Sequence, residues 1–210
     1  MAAHDLQAIK ELYDDLAARY DHHLLVECVY NTPKIAAEFL AEQLPGAHGL
    51  WLDIGAGTGL VGHELKRAGL PLSLVALDIS RAMLSQISSP NYVACCEGSA
   101  DEEAGFDANA FDGAVAIGVF DHISDPTRTL SAIRNTLRPA AFWLLSFCQS
   151  PHTEVELVDE QVHIYRHPAP WFRHCCKQAG FAVRSERLVD GYESYGETVQ
   201  HRLLLLQRDT

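Results

Sequence analysis

Apolar residues recur at helical spacing over about residues 5 to 19, where Leu6, Ile9, Leu12, Tyr13, Leu16 and Ala17 form one stripe and Asp5 is placed to cap it. A second helix is predicted from Thr32-Pro33, with proline in its first turn, through Ile35, Ala36, Phe39 and Leu40 to Pro45-Gly46. The period then changes. Short apolar runs at about 50 to 54, 73 to 77, 91 to 95, 113 to 117 and 142 to 147 alternate with helical or polar stretches, which predicts an α/β fold with a parallel sheet wrapped by helices. Two last strand-like stretches, about 181 to 189 and 199 to 207, are separated by Asp190-Gly191 and polar residues, so they can pair antiparallel. The expected division is an N-terminal helical lid over residues 1–47 and a core over residues 48–210, together one structural domain without internal repeats.

The first apolar run ends in the most informative segment, Leu50-Trp-Leu-Asp53-Ile-Gly55-Ala56-Gly57-Thr-Gly59-Leu60. Three glycines at alternate positions free the turn to adopt positive φ and remove the Cβ atoms that would keep a ligand off the backbone, while the helix behind them offers free N–H groups. Two nucleotide classes compete for such a loop. Gly57, Gly59 and Gly62 satisfy the Gly-x-Gly-x-x-Gly spacing of a dinucleotide site, and so of an NAD(P)-dependent oxidoreductase. Asp53 argues the other way, because a carboxylate repels pyrophosphate and attracts an ammonium group. A cofactor with an amino-acid tail suits it better.

Asp53-x-Gly55-x-Gly57-x-Gly59 resembles the first motif of class I S-adenosylmethionine-dependent methyltransferases, and the resemblance extends over about residues 48 to 208. Leu74-Val-Ala-Leu-Asp78-Ile79-Ser80, with Met83-Leu84, is similar to the family's second strand, which implies that Asp78 accepts the ribose hydroxyls and that Ile79 and Met83 flank the adenine. Cys96-Glu-Gly-Ser99-Ala100 stands where the family usually reads Gly-Asp-Ala, so Ser99, or Asp101 in its place, would meet the adenine amino group. Phe111-Asp112 through Ile117-Gly118 to Asp121-His122 resembles the fourth strand and its turn; Leu137-Arg138-Pro139 matches the approach to the fifth, with Ala140-Ala141 in place of Gly-Gly. The resemblance implies a Rossmann-like, seven-stranded, mostly parallel sheet with an antiparallel last strand and helices on both faces. Ala-Arg-Tyr20-Asp21-His22-His23 and Tyr30-Asn31-Thr-Pro33 resemble the lead-in of small-molecule methyltransferases, including the Williams-Beuren-region methyltransferase-like group, and make Tyr20 and Tyr30 candidates to wall the cofactor or the acceptor.

Composition narrows the acceptor. With 16 basic residues against 28 acidic ones and a net charge of −12, the chain lacks the basic patch needed to track nucleic acid. Neither a signal-like start nor an apolar run near the roughly 20 residues of a membrane span is present, which predicts a cytoplasmic protein without membrane partners. Its six cysteines lack Cys-x-x-Cys spacing and read as reduced, buried thiols.

The chemistry asks for alignment, exclusion of water and, where the acceptor needs it, a base. His122 follows the fourth strand, where the acceptor should approach, and is the candidate base or acceptor-orienting group. His163 and His167, with Tyr165 and Arg166 between them, and His22 or His23 are further candidates to face the acceptor; no third ligand accompanies His163 and His167, so no metal is expected. The expected function is methyl transfer from S-adenosyl-L-methionine to an oxygen or nitrogen of a small molecule, by a monomer or homodimer. A non-catalytic cofactor-binding partner protein is the alternative suggested by Ser99 and Ala140-Ala141.

Overall fold

The computed structural model describes residues 3–100, 105–158, 162–194 and 196–210. Helix α1 (Ala3–Leu16) begins ahead of Asp5 and is followed by a short α2 (Tyr20–His22) and a π turn (His23–Glu27). Helix α3 (Thr32–Gln43) has Pro33 in its first turn, as its sequence predicts. The apolar runs are strands: β1 (Gly49–Ile54), β2 (Leu72–Asp78), β3 (Tyr92–Glu97), β4 (Phe111–Ala116) and β5 (Leu137–Cys148). Between them lie α4 (Leu60–Arg67), α5 (Arg81–Leu84), a 3₁₀ turn (Phe120–His122) and α6 (Thr127–Thr136).

A hairpin that the sequence reading did not anticipate follows, β6 (Glu154–Val158) with β7 (Val162–Arg166), then α7 (Ala169–Gln178) and the long closing pair β8 (Phe181–Ser194) and β9 (Glu197–Arg208). The main sheet has seven strands in the order β3-β2-β1-β4-β5-β9-β8. Strands β1 to β5 pair in parallel, and β9 is antiparallel to both of its neighbours. This is the Rossmann-like arrangement implied by the resemblance, and its order reverses between β1 and β4. In open sheets of this kind, a ligand lies beyond the carboxyl ends of the strands at that reversal.

The alternation of side chains along the strands builds two hydrophobic layers. Leu52 and Ile54 of β1, Trp143, Leu145 and Phe147 of β5 and Leu204 and Leu206 of β9 face α6 and α7, joining Phe120, Leu130 and Phe172. Trp51, Leu144, Leu203 and Leu205 face the other way, against Phe39, Leu40, Val61 and Leu65 of α3 and α4. Because Phe39 and Leu40 are buried in this core, α3 belongs to the helical layer of the sheet, and the segment left to cover the strand ends is residues 3–31.

Two boundaries differ from the sequence reading. Asp190-Gly191 does not end a strand: β8 runs through it with a register shift between Asp190 and Tyr192, and the chain reverses near Gly196 instead. The bulge lets a glycine sit inside the ladder, where a Cβ would approach His201 Cγ to 2.9 Å and Thr32 Oγ1 to 3.1 Å. Strand β5 begins well before residue 142, and Ala140 within it holds φ at +63°, the left-handed conformation for which glycine is the usual residue.

Candidate active site

A cavity of about 720 Å³ opens at the carboxyl ends of β1, β2 and β4, beneath residues 3–31. Its size falls in the range of small-molecule sites, roughly 300 to 1,000 Å³. Gly55, Ala56, Gly57, Asp78, Ile79, Met83, Ser99, Ala100, Ile117 and Gly118 all line it, so most of the residues singled out for cofactor binding meet in one place, whereas Gly59 lies behind the wall against Tyr92 and Ile87.

The loop geometry explains its glycines. Gly57 has φ +54°, and its missing Cβ would lie 3.2 Å from Met83 Cε and 3.9 Å from Tyr20 Cε1, so the cradle exists because that side chain is absent. Asp78 fixes the loop from below: Oδ2 accepts from Gly57 N–H at 2.8 Å and Oδ1 from Ser80 N–H at 2.8 Å. Both oxygens keep further lone pairs for a diol. Burial raises the Asp78 pKa, and these two backbone donors oppose the rise. Gly62 has a packing role: a Cβ there would meet the Tyr92 ring at 2.3 to 2.7 Å. The dinucleotide reading based on that glycine therefore loses its support.

Asp53 occupies a different place from the one its motif suggested. It is 0% exposed and does not reach the cavity wall. Its Oδ2 accepts from the Tyr92 hydroxyl at 2.5 Å, while Oδ1 has no hydrogen-bond partner. Burial, the dominant cause, pushes its pKa up to about 7, with the Tyr92 bond working against it and Asp78 adding to it. Asp53 braces the underside of the loop.

The covering segment reaches the loop through polar ties. Thr58 donates to Asp21 at 2.5 Å, Ser80 to Asp14 at 2.5 Å, and Lys10 Nζ to Ile79 O at 3.0 Å and Glu97 Oε1 at 3.1 Å. Tyr20 and Tyr30 both line the cavity, as does His23. His22, the last residue of α2, points outward, with its side chain 70% exposed beside Glu27.

Beyond Gly118 the cavity ends in a ring of aromatic and ionisable groups. The Tyr13 hydroxyl lies 2.7 Å from His122 Nε2, and both residues line the wall. His122 is held below the usual histidine range, chiefly by desolvation against the opposing field of Asp121, and is neutral at neutral pH. Tyr30 meets Tyr192 and His201 edge-on. His201 is 1% exposed, with Nδ1 3.2 Å from Thr32 Oγ1, and Nε2 3.1 Å from Cys148 Sγ and 3.5 Å from Asp121 Oδ2.

Tyr13, Asp121, Cys148, Tyr192 and His201 were not singled out from the sequence as site residues. Conversely, His163 and His167 do not border the cavity; Glu156, Leu157 and Ile164 of the same hairpin do. His167 is fully buried, with Nε2 3.2 Å from Phe120 O and 3.0 Å from Ile123 O, and so ties the 3₁₀ turn in place. Of the cysteines, Cys148, Cys175 and Cys176 are buried thiols as expected, whereas Cys95 is exposed on the edge strand; all six are free. Asp101 lies outside the described residues.

A parallel sheet with a glycine-cradled cavity at its order reversal, closed by an antiparallel strand pair, defines a nucleotide-cofactor enzyme of the methyltransferase architecture. Residues 20–186 match the family described as "Methyltransferase domain", and the chain belongs to it, among the class I S-adenosylmethionine-dependent methyltransferases. Methyltransferase-like protein 27 of Homo sapiens is 38% identical over 94 residues, 42% of this chain and 38% of that protein. The ubiquinone biosynthesis O-methyltransferase of Xanthomonas axonopodis pv. citri is 26% identical over 115 residues, 53% of this chain and 48% of the relative. In each case, the match spans less than half of the relative's length. The 1,6-didemethyltoxoflavin-N1-methyltransferase of Burkholderia thailandensis, solved with that compound and S-adenosylhomocysteine, superposes with a TM-score of 0.74 over 100% of this chain and 92% of that one at 19% identity, a likeness of fold. Among the described residues, no helix is long and apolar enough to cross a membrane.

Proposed function

We propose that this protein transfers the methyl group of S-adenosylmethionine to an oxygen or nitrogen of a small-molecule acceptor. The carrying observation is the continuity of the cavity from the Gly55–Thr58 cradle past Gly118 to the ring formed by Tyr13, Tyr30, Asp121, His122, Tyr192 and His201. The cofactor half suits the nucleoside and its tail: Asp78 for the ribose, Ile79 and Met83 for the faces of the adenine, Ser99 and Ala100 at its rim, Tyr20 over the loop. The sulfonium supplies an electrophilic methyl group. The residues of this chain then have to orient the acceptor, keep water out and accept a proton if one must leave.

Tyr13 and His122 form the unit for that last task. His122 Nε2 already faces the Tyr13 hydroxyl, so the hydroxyl can pass its proton to the imidazole as it takes one from the acceptor. The names of the relatives support the choice of acceptor atoms, one an O-methyltransferase and one a nitrogen methyltransferase, both acting on small molecules or their biosynthesis. The acidic balance of the chain supports an acceptor other than nucleic acid.

The test is calorimetric titration with S-adenosylmethionine, S-adenosylhomocysteine and NADH, followed by measurement of S-adenosylhomocysteine released across a panel of phenols, carboxylates and heterocyclic amines. Binding of the first two ligands with turnover on some acceptor is expected. Tight binding with no turnover on any of them would favour the non-catalytic reading, and preference for NADH would overturn the site. Tyr13→Phe should lower kcat and flatten the acid limb of its pH profile while leaving cofactor affinity unchanged.

A further inference from the structure

At the acceptor end, three different metal-ligating atoms converge: a carboxylate oxygen of Asp121, the sulfur of Cys148 and a ring nitrogen of His201, all within 4.8 Å of one another and all on buried residues. The convergence is set by the sheet, since Cys148 and His201 are direct cross-strand partners of β5 and β9. Asp121 is locked in by the Cys148 N–H, which donates to its Oδ1 at 2.7 Å and leaves Oδ2 facing His201.

His201 Nε2 lies 3.1 Å from Cys148 Sγ and 3.5 Å from Asp121 Oδ2, while Nδ1 meets the Thr32 hydroxyl at 3.2 Å. With Nδ1–H donating to Thr32, Nε2 turns its lone pair toward the other two ligand atoms, the tautomer in which an imidazole holds a cation. Around a tetrahedral zinc ion with one sulfur, one nitrogen and one oxygen ligand, neighbouring ligand atoms lie roughly 3.3 to 3.8 Å apart. The observed 3.1 and 3.5 Å are within a few tenths of an ångström of that spacing without any backbone movement.

We propose that Asp121, Cys148 and His201 bind one Zn²⁺ ion, with its fourth position open to the cavity that Asp121 and His201 line. Binding forms a sulfur–metal bond and releases the thiol proton to solvent. The dication then balances one thiolate and one carboxylate, leaving the buried group neutral overall. The surroundings fit. Burial and the Asp121 charge push the Cys148 thiol up, so an ion must displace its proton, and desolvation holds His201 below the usual histidine range. From the other packed elements, Tyr192 on β8 donates to the Cys148 sulfur, Tyr30 meets the imidazole edge-on, and the field of Arg166 on β7 reaches both Cys148 and His201. Arg166 is itself paired with Glu154 and Glu156. Thr32 plays the outer part, fixing the imidazole tautomer from its buried hydroxyl.

An acceptor hydroxyl or thiol entering the fourth position would be held and acidified there. That consequence rests on the methyltransferase reading; the binding of the ion does not. The experiment is a titration of the full chain, freed of metal by a chelator, with Co²⁺ alone as the optical stand-in for zinc and with no cofactor present. The expected result is one equivalent bound, a near-ultraviolet thiolate-to-cobalt charge-transfer band, intense four-coordinate visible bands and displacement by Zn²⁺. Cys148→Ser should abolish the charge-transfer band, and Thr32→Val should weaken the affinity about 10- to 100-fold while the band persists. No charge-transfer band in the wild type overturns the proposal. So does a band that survives Cys148→Ser, which would place the ion at another thiol such as Cys28 beside His23. If Cys148→Ser does not fold, the Thr32→Val variant decides, and an unchanged affinity refutes the site.

Discussion

Replacing Asp53 by asparagine should alter how stability depends on pH more than it alters cofactor binding. The wild-type carboxyl sits at 0% exposure with one oxygen unpartnered, and its pKa is raised from 3.8 to about 7. The folded state therefore holds its proton where the unfolded chain has already released it, and stability falls as pH rises from about 4 to about 7, then levels off. Raising the carboxyl from 3.8 to about 7 corresponds to roughly 4 kcal/mol, fully present as a cost above pH 7 and absent below the unfolded value. Integrated between about pH 5 and about pH 8, wild type should lose roughly 2 to 3 kcal/mol that Asp53→Asn does not lose. The amide can still accept from the Tyr92 hydroxyl, but its buried NH₂ lacks a partner, which offsets the gain at high pH by roughly 1 to 3 kcal/mol. The informative quantity is therefore the difference between the two slopes. Urea unfolding of both proteins at a series of pH values measures it, and contributions from the histidines, none of which is among the causes of the Asp53 shift, cancel in the comparison. Parallel slopes would show that Asp53 is ionised in the fold at neutral pH, as it would be if it faced solvent or a bound ammonium group.

Four further outcomes follow from the same geometry. Asp78→Ala should weaken S-adenosylmethionine binding by roughly 1.5 to 3 kcal/mol in calorimetry, since it removes a charged acceptor and releases the Gly57 N–H; unchanged affinity would remove Asp78 from the site. Gly57→Val forces a branched residue to φ +54° against Met83 and should eliminate binding while the domain still melts cooperatively, about 1 to 2 kcal/mol less stable. Ala140→Gly relieves a left-handed alanine worth about 1 to 2 kcal/mol but adds unfolded-state freedom worth about 0.4 to 1, so a net gain of up to about 1 kcal/mol is expected, and a loss would contradict the assigned backbone. Amide exchange in residues 3–27 should slow when S-adenosylhomocysteine binds, and equal protection with and without ligand would mean that this segment is permanently docked.

What could be read from the sequence was what the chain holds locally. The glycine cradle, the strand-ending Asp78 and the aromatic pair Tyr20 and Tyr30 each announce themselves within a few residues, and all meet in the cavity. Asp53 shares that motif, yet its environment comes from Tyr92 on another strand, 39 residues away, so its position in the motif did not reveal that it is buried. Cys148 and His201 are 53 residues apart and meet only through the antiparallel register of β5 and β9, which no spacing rule exposes. The β6–β7 hairpin is a different case: Glu154-Val-Glu-Leu-Val and Val162-His-Ile-Tyr-Arg alternate apolar with polar residues, a period-two signal that five residues are just long enough to carry. His167 was expected to face the acceptor from its place beside His163, whereas its imidazole holds the carbonyls of the turn that carries His122.

The bulge at Gly191 has a consequence for how molecules enter and leave. Asn31 N–H donates to the Gly191 carbonyl at 3.0 Å and Glu193 N–H to the Cys28 carbonyl at 2.8 Å, so the end of the covering segment is sewn to β8 by main chain. Its beginning is held by side chains, Lys10, Tyr13, Asp14 and Asp21. The segment is thus a flap with one hem fixed by backbone at a residue that must lack a side chain, so that any opening to admit a ligand breaks side-chain ties before main-chain ones.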